Sequence, residues 1–477
     1  LLLFYLLKYL PKLQFLFLLL SSLLFYFWGE NFLVWILLTS TGIDYFASLI
    51  IAKGFNRNKI LALDPGSHRS KKQKLGLTIS IVSNLTFLGY FKYYNFFIEN
   101  FNSFCHSLGL DGLVSNQFTA IALPLGISFY TFQSMSYTID VYRGKVTGTR
   151  DFIKFASFVS MFPQLVAGPI VRYSDIEGQM NNHHLTSDNF VIGIKRFIIG
   201  LAKKVIIANS LALVADSIFA LPANELSSGL AWLGILSYSL QLYFDFSGYS
   251  CMAIGLGRMM GFTFPENFNY PYISRSIGEF WQRWHITLST WFRDYLYIPL
   301  GGSRKGNLIT YRNLLIVFIT CGLWHGSSWN YIIWGLSHGF FMVLEKLPIA
   351  KYFKKLPKII HHIYMLLAFN LTLVIFRVET IPGAIHYLSV LFGNSELKTS
   401  ISSFKELMPL NIQLVFIAGI IFSTPVFVLI KNKIENLSSH YRNVFEIMYL
   451  AILIILFVFS AMSLASGTYN PFIYFRF

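Results

Sequence analysis

Charge is scarce in this sequence. Only 13% of its 477 residues are Asp, Glu, Lys or Arg, and the acidic share is the smaller, 22 carboxylates against 38 Lys and Arg. Cysteine is scarcer still: Cys105, Cys251 and Cys321 make no paired framework and no CxxC spacing. That argues against a disulfide scaffold and a thiolate metal site, and Cys321 reads as a small core residue. The chain also lacks a GxSxG elbow, an HExxH helix and a P-loop. Gly255, Gly257 and Gly261 space as GxGxxxG, which departs from the dinucleotide fingerprint and reads as close helix packing.

Apolar residues fill the space left by charge. Hydrophobic residues make up 55% and aromatics 18% of the chain, and the mean hydropathy is +0.55. This is too apolar for a soluble protein of this length and predicts an all-α polytopic membrane protein, one integral membrane domain over 1–477. The chain opens inside an apolar run, LLLFYLL, without a methionine, and continues apolar with no small-residue cleavage site, so no cleavable signal peptide is expected. Lys and Arg collect between apolar runs, which fits cytoplasmic anchoring at anionic headgroups better than nucleic-acid binding.

A spanning helix needs about 20 apolar residues. Such runs are read at 13–29, 31–52, 75–98, 121–139, 205–220, 229–250, 313–326, 329–348, 359–376, 412–430 and 446–464. With the fragment at the start they predict about 11–12 membrane helices. The basic stretch 53–74 is expected inside and 99–119, without Lys or Arg, outside. Continuing the alternation puts 143–150, 351–358 and 431–442 inside, and the 377–411 loop and the tail 465–477 outside. Two regions interrupt the pattern. Pro163, Gly168 and Pro169 within 152–170 predict a re-entrant or broken buried helix. Residues 261–306 are too polar to span yet rich in Trp and Tyr, as at a membrane surface.

The interval 245–330 carries the candidate chemistry. Ser276 and Glu279 fit a capping box that starts an interfacial helix, on which His285, Ser289 and Arg293 recur every four residues and share a face. If the next helix starts near Arg312, a rise of 1.5 Å per residue puts His325 about 20 Å into the bilayer. Ionisable groups at such depth are usually functional. A neutral imidazole is a suitable general base for a hydroxyl attacking an activated acyl group. The alternatives are a structural, hydrogen-bonded His325 and an interfacial His285. His338, His361 and His362 read as helix-face or helix-end residues, and His106, His183, His184, His386 and His440 as loop residues.

The stretches LPLGISFYTFQSMSYTIDVYRG (123–144), FPQLVAGPIVR (162–172), LYFDFSGYSCMAIGLGRMMGF (242–262), FWQRWHITLSTWFRDYLYIPLGG (280–302) and GLWHGSSWNYIIWG (322–335) resemble the membrane-bound O-acyltransferase family, in its bacterial glycan-modifying branch. The resemblance covers most of 120–345. It implies a ring of helices around a thin tunnel open from both sides, with His325 as the buried catalytic histidine and His285 as a second histidine near the cytoplasmic mouth. The final residues, FIYFRF (472–477), fit FxYxxF, similar to a motif whose tyrosine is thought to carry the acyl group; here that tyrosine is Tyr474. An aromatic belt anchor is the other reading of these residues.

On that resemblance, cytoplasmic acetyl-CoA is the expected donor and no bound cofactor or metal is expected. Its phosphates would lie near Arg275, Arg283, Arg293, Arg304 and Lys305, although snorkelling explains each cation as simply. His325 would act as base on Tyr474, His285 would orient the donor or stabilise the oxyanion, and Asp245, Ser289 and Asn330 would support the site. A periplasmic SGNH-type partner would pass acetyl to an extracytoplasmic glycan from an enzyme in the bacterial inner membrane, with peptidoglycan ahead of an alginate-like exopolysaccharide. Direct transfer to sugar is an alternative. So are a transporter or flippase, which internal repeats would favour and which the unrepeated WHITLS and LWHG segments do not, and a family member with another donor or acceptor.

Overall fold

In a computed structural model of the chain, residues 1–54, 62–114, 120–348, 350–353, 355–395, 401–436, 438–467 and 469–471 are described, and every regular element among them is helical. The chain divides into two compact units, Leu1–Gly193 with Leu256–Pro265, and Ile194–Gly255 with Glu266–Phe477. Among the described residues five helical stretches are long and apolar enough to cross a membrane, six if one bent pair counts as a span. The remaining apolar runs also form helices, but ones that carry polar side chains.

The first unit shows why. Its long helices are α1 (Pro11–Glu30), α2 (Val34–Ile51), α3 (Lys71–Ser107) and α4 (Ile127–Arg143). Asp44 of α2 is fully buried and accepts from Ser80 Oγ at 2.6 Å, from Asn84 Nδ2 at 2.8 and 2.9 Å, and from Ser134. Polar groups inside a membrane bundle must find one another, and here they join three helices. The 152–170 stretch is the broken, buried helix its prolines predict: α5 (Phe152–Ser160), then α6 (Phe162–Leu165). Freed backbone groups are met locally, Phe162 N–H by Ser22 Oγ at 3.2 Å and Phe158 C=O by Gln164 Nε2 at 2.9 Å.

The second unit takes up α7 (Ser187–Phe219) from Ile194 onward. Within α7, Lys203–Ala208 is a π-helical turn. Then come α8 (Ser228–Met259), the short α9 (Ile277–Arg283) and α10 (Ile286–Phe292), α11 (Asn307–His325), α12 (Trp329–Leu344) and α13 (Lys358–Arg377). Helices α7 and α8 touch backbone to backbone, since a Cβ on Gly200 would lie 2.6 Å from Gly248 O.

Two expectations are corrected in the last third of the chain. The 377–411 loop contains α14 (Ile381–Leu391) and a helix at Ile401–Leu407. Tyr387 of α14 stacks on Phe219 at 4.7 Å and donates to Ala231 O at 2.8 Å, which draws the segment onto α7 and α8. The 412–430 run is two helices, α15 (Leu410–Phe422) and α16 (Val426–Glu435), bent by 62°. Pro425 sits at the bend and has no N–H to continue the ladder. The most apolar window of α17 (Ser439–Ala465) is only 11% buried, so the rest of the described chain leaves most of its apolar side chains uncovered.

Candidate active site

The predicted helix through His285 is interrupted. Ser276 Oγ caps α9 at Glu279 N, 2.9 Å, and the Glu345 carboxylate accepts from Ile277 N at 2.6 Å and Gly278 N at 2.9 Å. The Glu279 side chain, expected to close the capping box, instead accepts from Arg275 N at 2.9 Å. After Arg283 the helix stops, and His285 takes a left-handed backbone, φ 43°. An extended strand of chain holds the break open, with Asn269 N donating to Arg283 O at 2.9 Å and Ile286 N to Asn267 O at 3.0 Å. These two bonds replace helical ones, so the common face expected for His285, Ser289 and Arg293 is lost at its first member: Ser289 and Arg293 line an open pocket and His285 does not.

His285 is instead fully buried, its ring 4.6 Å edge-on from Phe246 and 6.0 Å from Trp324. Its Nδ1 is 3.1 Å from Asn267 Oδ1, which also accepts from Thr287 Oγ1 at 2.8 Å and Thr287 N at 3.3 Å, while Asn267 Nδ2 donates to Ser250 Oγ at 3.1 Å. Because Oδ1 only accepts, Nδ1 carries the proton and Nε2 the lone pair. Burial drives the His285 pKa down to about 3, so the ring is neutral at physiological pH.

His325 ends α11 and is 8% exposed. Its ring meets Trp324 at 4.9 Å, Trp334 at 5.0 Å and Phe376 at 5.6 Å. It borders a cavity of about 30 Å³ lined also by Leu242, Phe246, Trp281, Trp284 and Phe376. That is room for roughly one water. The α11–α12 hairpin brings His325 to its tip because glycines let the two backbones meet: a Cβ on Gly322 would stand 2.2 Å from Tyr331 O, and one on Gly335 2.2 Å from Phe318 O. Asn330, the expected supporting residue, fastens the tip to the end of α13 through Val378 O at 2.7 Å and Ile375 O at 3.3 Å.

Two larger pockets flank this cavity. One, of about 430 Å³, is lined by Trp281, Gln282, Ser289, Arg293, Tyr297 and Cys321 among others. The other, of about 840 Å³, is lined by Asp216, Tyr238, Ser327, Asn330, Arg377 and Glu379 among others. Trp281 belongs to the central cavity and the first pocket, and Phe376 to the central cavity and the second. His325 thus lines a narrow cavity that shares one wall residue with each of these two open vestibules.

Of the five cations expected at the donor, Arg293 lines the smaller vestibule; it pairs with Asp294 at 2.8 Å and its side chain is 60% exposed. Arg283 pairs with Glu279 at 3.0 Å, and Arg275, Arg304 and Lys305 are exposed outside that lining. Asp245 is 1% exposed and forms an ion pair with Lys204 at 2.8 Å. His338 is the buried structural histidine its position suggests, held by Trp281 Nε1 at 3.3 Å and Thr372 Oγ1 at 3.1 Å. Tyr474, with all of 472–477, lies outside the described residues.

Several site residues were not anticipated from sequence. Asn267 sits in an irregular run with no period to flag it. Arg377, at the end of α13, pairs with Asp216 at 2.7 Å and lies over the rings of Phe219 and Tyr238 at 4.9 and 5.5 Å. Lys204 has as its only local sign a lysine doublet beside an apolar run.

Comparison with known proteins identifies the family to which the interval holding these residues is similar. Residues 145–376 match the membrane-bound O-acyltransferase family, an interval that contains His285, His325 and most of both vestibules. The chain is 43% identical over 429 residues to a probable alginate O-acetylase of Pseudomonas putida, covering 86% of each protein. It is 40% identical over 488 residues to a probable alginate O-acetylase of Azotobacter vinelandii, covering 96% of this chain and 94% of that one. A peptidoglycan O-acetyltransferase of Helicobacter pylori is 39% identical over 414 residues, covering 80% of this chain and 74% of its own length. Sequence similarity along most of the chain and several apolar helices of spanning length converge on one conclusion: the protein belongs to the membrane-bound O-acyltransferase family and is a multi-pass membrane acyltransferase.

Proposed function

We propose that the protein moves acetyl from cytoplasmic acetyl-CoA across the bacterial inner membrane to an extracytoplasmic polysaccharide. The observation that carries this reading is the waist at His325: a histidine on a small cavity that shares one wall residue with each of two vestibules. A site reached from both ends suits a donor and an acceptor that never share a compartment. The relatives named for acetylation of alginate and peptidoglycan support a glycan acceptor, and the greater number named for alginate shifts preference from peptidoglycan toward an alginate-like chain.

In this reading the smaller vestibule receives the donor. Its mouth cation, Arg293, suits a phosphate, with Arg275, Arg283, Arg304 and Lys305 as further cations on the approach. The thioester advances past Trp281 to the waist. His325 removes the phenolic proton of Tyr474 as the oxygen attacks the thioester carbonyl; the C–S bond breaks, the proton passes to the thiolate, and tyrosyl acetate and CoA result. A phenol near pKa 10 needs such a base at neutral pH. His285, neutral and fixed by Asn267, packs against Phe246 of the cavity wall and supports the donor site from behind that ring. A separate periplasmic SGNH-type transferase then takes acetyl from the tyrosine to the glycan.

The test is incubation of purified protein with radiolabelled acetyl-CoA, an acid quench and mapping of the retained label. Label on the C-terminal peptide, abolished by both His325→Ala and Tyr474→Phe, is the expected result. His325-dependent turnover that leaves no label and ignores Tyr474→Phe would keep the acyltransferase and remove the tyrosine relay.

A further inference from the structure

Just beyond α17, three consecutive residues are held by side chains of α7. Tyr469 Oη donates to Asp216 Oδ2 at 2.7 Å, Asn209 Nδ2 donates to Asn470 Oδ1 at 3.0 Å, and Lys204 Nζ donates to the main-chain carbonyl of Pro471. The tail advances 469, 470, 471 while its partners recede 216, 209, 204, so it runs antiparallel to α7. Asp216 borders the larger vestibule. Lys204 lies twelve residues, about 18 Å, further along the helix axis. The chain therefore turns from the vestibule rim back along the helix instead of leaving it.

Lys204 is built for this position. It is the second residue of the π-helical turn, a distortion that re-aims side chains and is frequent at functional sites. Its side chain is only 10% exposed, and its ammonium is 2.8 Å from the 1% exposed Asp245. An ammonium has three donors, so one can serve the carboxylate while another serves a carbonyl. The Gly200–Gly248 contact one turn away sets α7 and α8 close enough for the pair to form. Asp245 directly precedes Phe246, which lines the His325 cavity.

We propose that Lys204, held by Asp245, is a positioning residue that docks residues 469–471 along α7, so that the segment leading to the acyl-carrying residue is anchored beside the larger vestibule. This rests on the reading of Tyr474 as that carrier. Tyr474 is three residues past Pro471, a reach of about 10 Å of extended chain. Docking at Lys204 fixes Pro471 and so limits how far the following residues can travel from α7.

The test joins Asn209→Cys to Asn470→Cys with a short bis-methanethiosulfonate reagent in the full chain, with Cys105, Cys251 and Cys321 replaced, and quantifies the cross-linked peptides by mass spectrometry. The cross-link is expected in the parent, retained in Lys204→Arg, and reduced at least tenfold in Lys204→Met with Asp245→Leu. That pair of changes removes both charges together and spares the fold an unpaired buried carboxylate, which monodispersity in detergent verifies. Tyr469→Phe, at an exposed residue, is a second route to a lower yield if the double variant does not fold. No cross-link in the parent, or one that ignores all of these substitutions, would overturn the proposal. Acetyl label on Tyr474 without the cross-link would sink the docking and keep the relay; a Lys204-dependent cross-link without label would do the reverse.

Discussion

Single side chains set what His285 and His325 can do. In the proposed mechanism His325 is the general base, so His325→Ala is expected to lower donor turnover by about 10²- to 10⁴-fold, the usual contribution of general base catalysis, measured as CoA release. His285 is a different kind of residue, a neutral ring buried on Asn267. In the folded protein its pKa lies near 3, whereas an exposed histidine titrates near 6.5. Between these values the unfolded chain binds the extra proton, so stability falls as pH drops from about 6.5 toward 3 and is independent of this group above that window. The melting temperature in detergent is expected to fall less between pH 7.5 and 5 in His285→Gln than in the parent. Asn267→Ala strands the donors of His285 and Thr287 and is expected to cost at least about 2 kcal/mol, read as a lowered midpoint of thermal unfolding. His285 and His325 were both evident from sequence, because an ionisable residue among Trp and Phe is conspicuous. Asn267 was not, since its partners are brought to it only by the broken helix.

Elements depend on whether their neighbours allow backbone contact. The α11–α12 hairpin closes at Gly322 and Gly335, each of which would place a Cβ 2.2 Å from a carbonyl oxygen of the facing helix. Gly322→Ala or Gly335→Ala must push the helices apart, and each is expected to destabilise by about 1–3 kcal/mol and to reduce turnover as His325 shifts from the waist; thermal unfolding and CoA release check both. Helix positions were legible because apolar runs of spanning length have few other outcomes in a bilayer. The interruption at Trp284–His285 was not, because it is enforced by main-chain bonds from residues 267–269, and no residue at the break is a helix breaker. The bend at Pro425 was predictable in kind, and the apolar run concealed it.

At the scale of the whole molecule the question is which vestibule opens to which side. With the native cysteines replaced, Ser289→Cys in the smaller vestibule and Ser327→Cys in the larger one are expected to react with a membrane-impermeant thiol reagent from opposite faces of sealed vesicles. Reaction of both from one face would remove the case for transfer across the membrane.

The sequence by itself determined the membrane, the helical class and the family, and it singled out two histidines as candidates, because composition, run length and local motifs are properties of neighbours along the chain. It named the C-terminal motif for the same reason. Only tertiary structure decided that the His325 cavity shares a wall residue with each of two vestibules, that His285 packs behind Phe246 of its wall, and that Lys204, Asn209 and Asp216 hold residues 469–471. Those facts depend on contacts between residues up to 267 positions apart, and packing, which no local pattern encodes, chooses them.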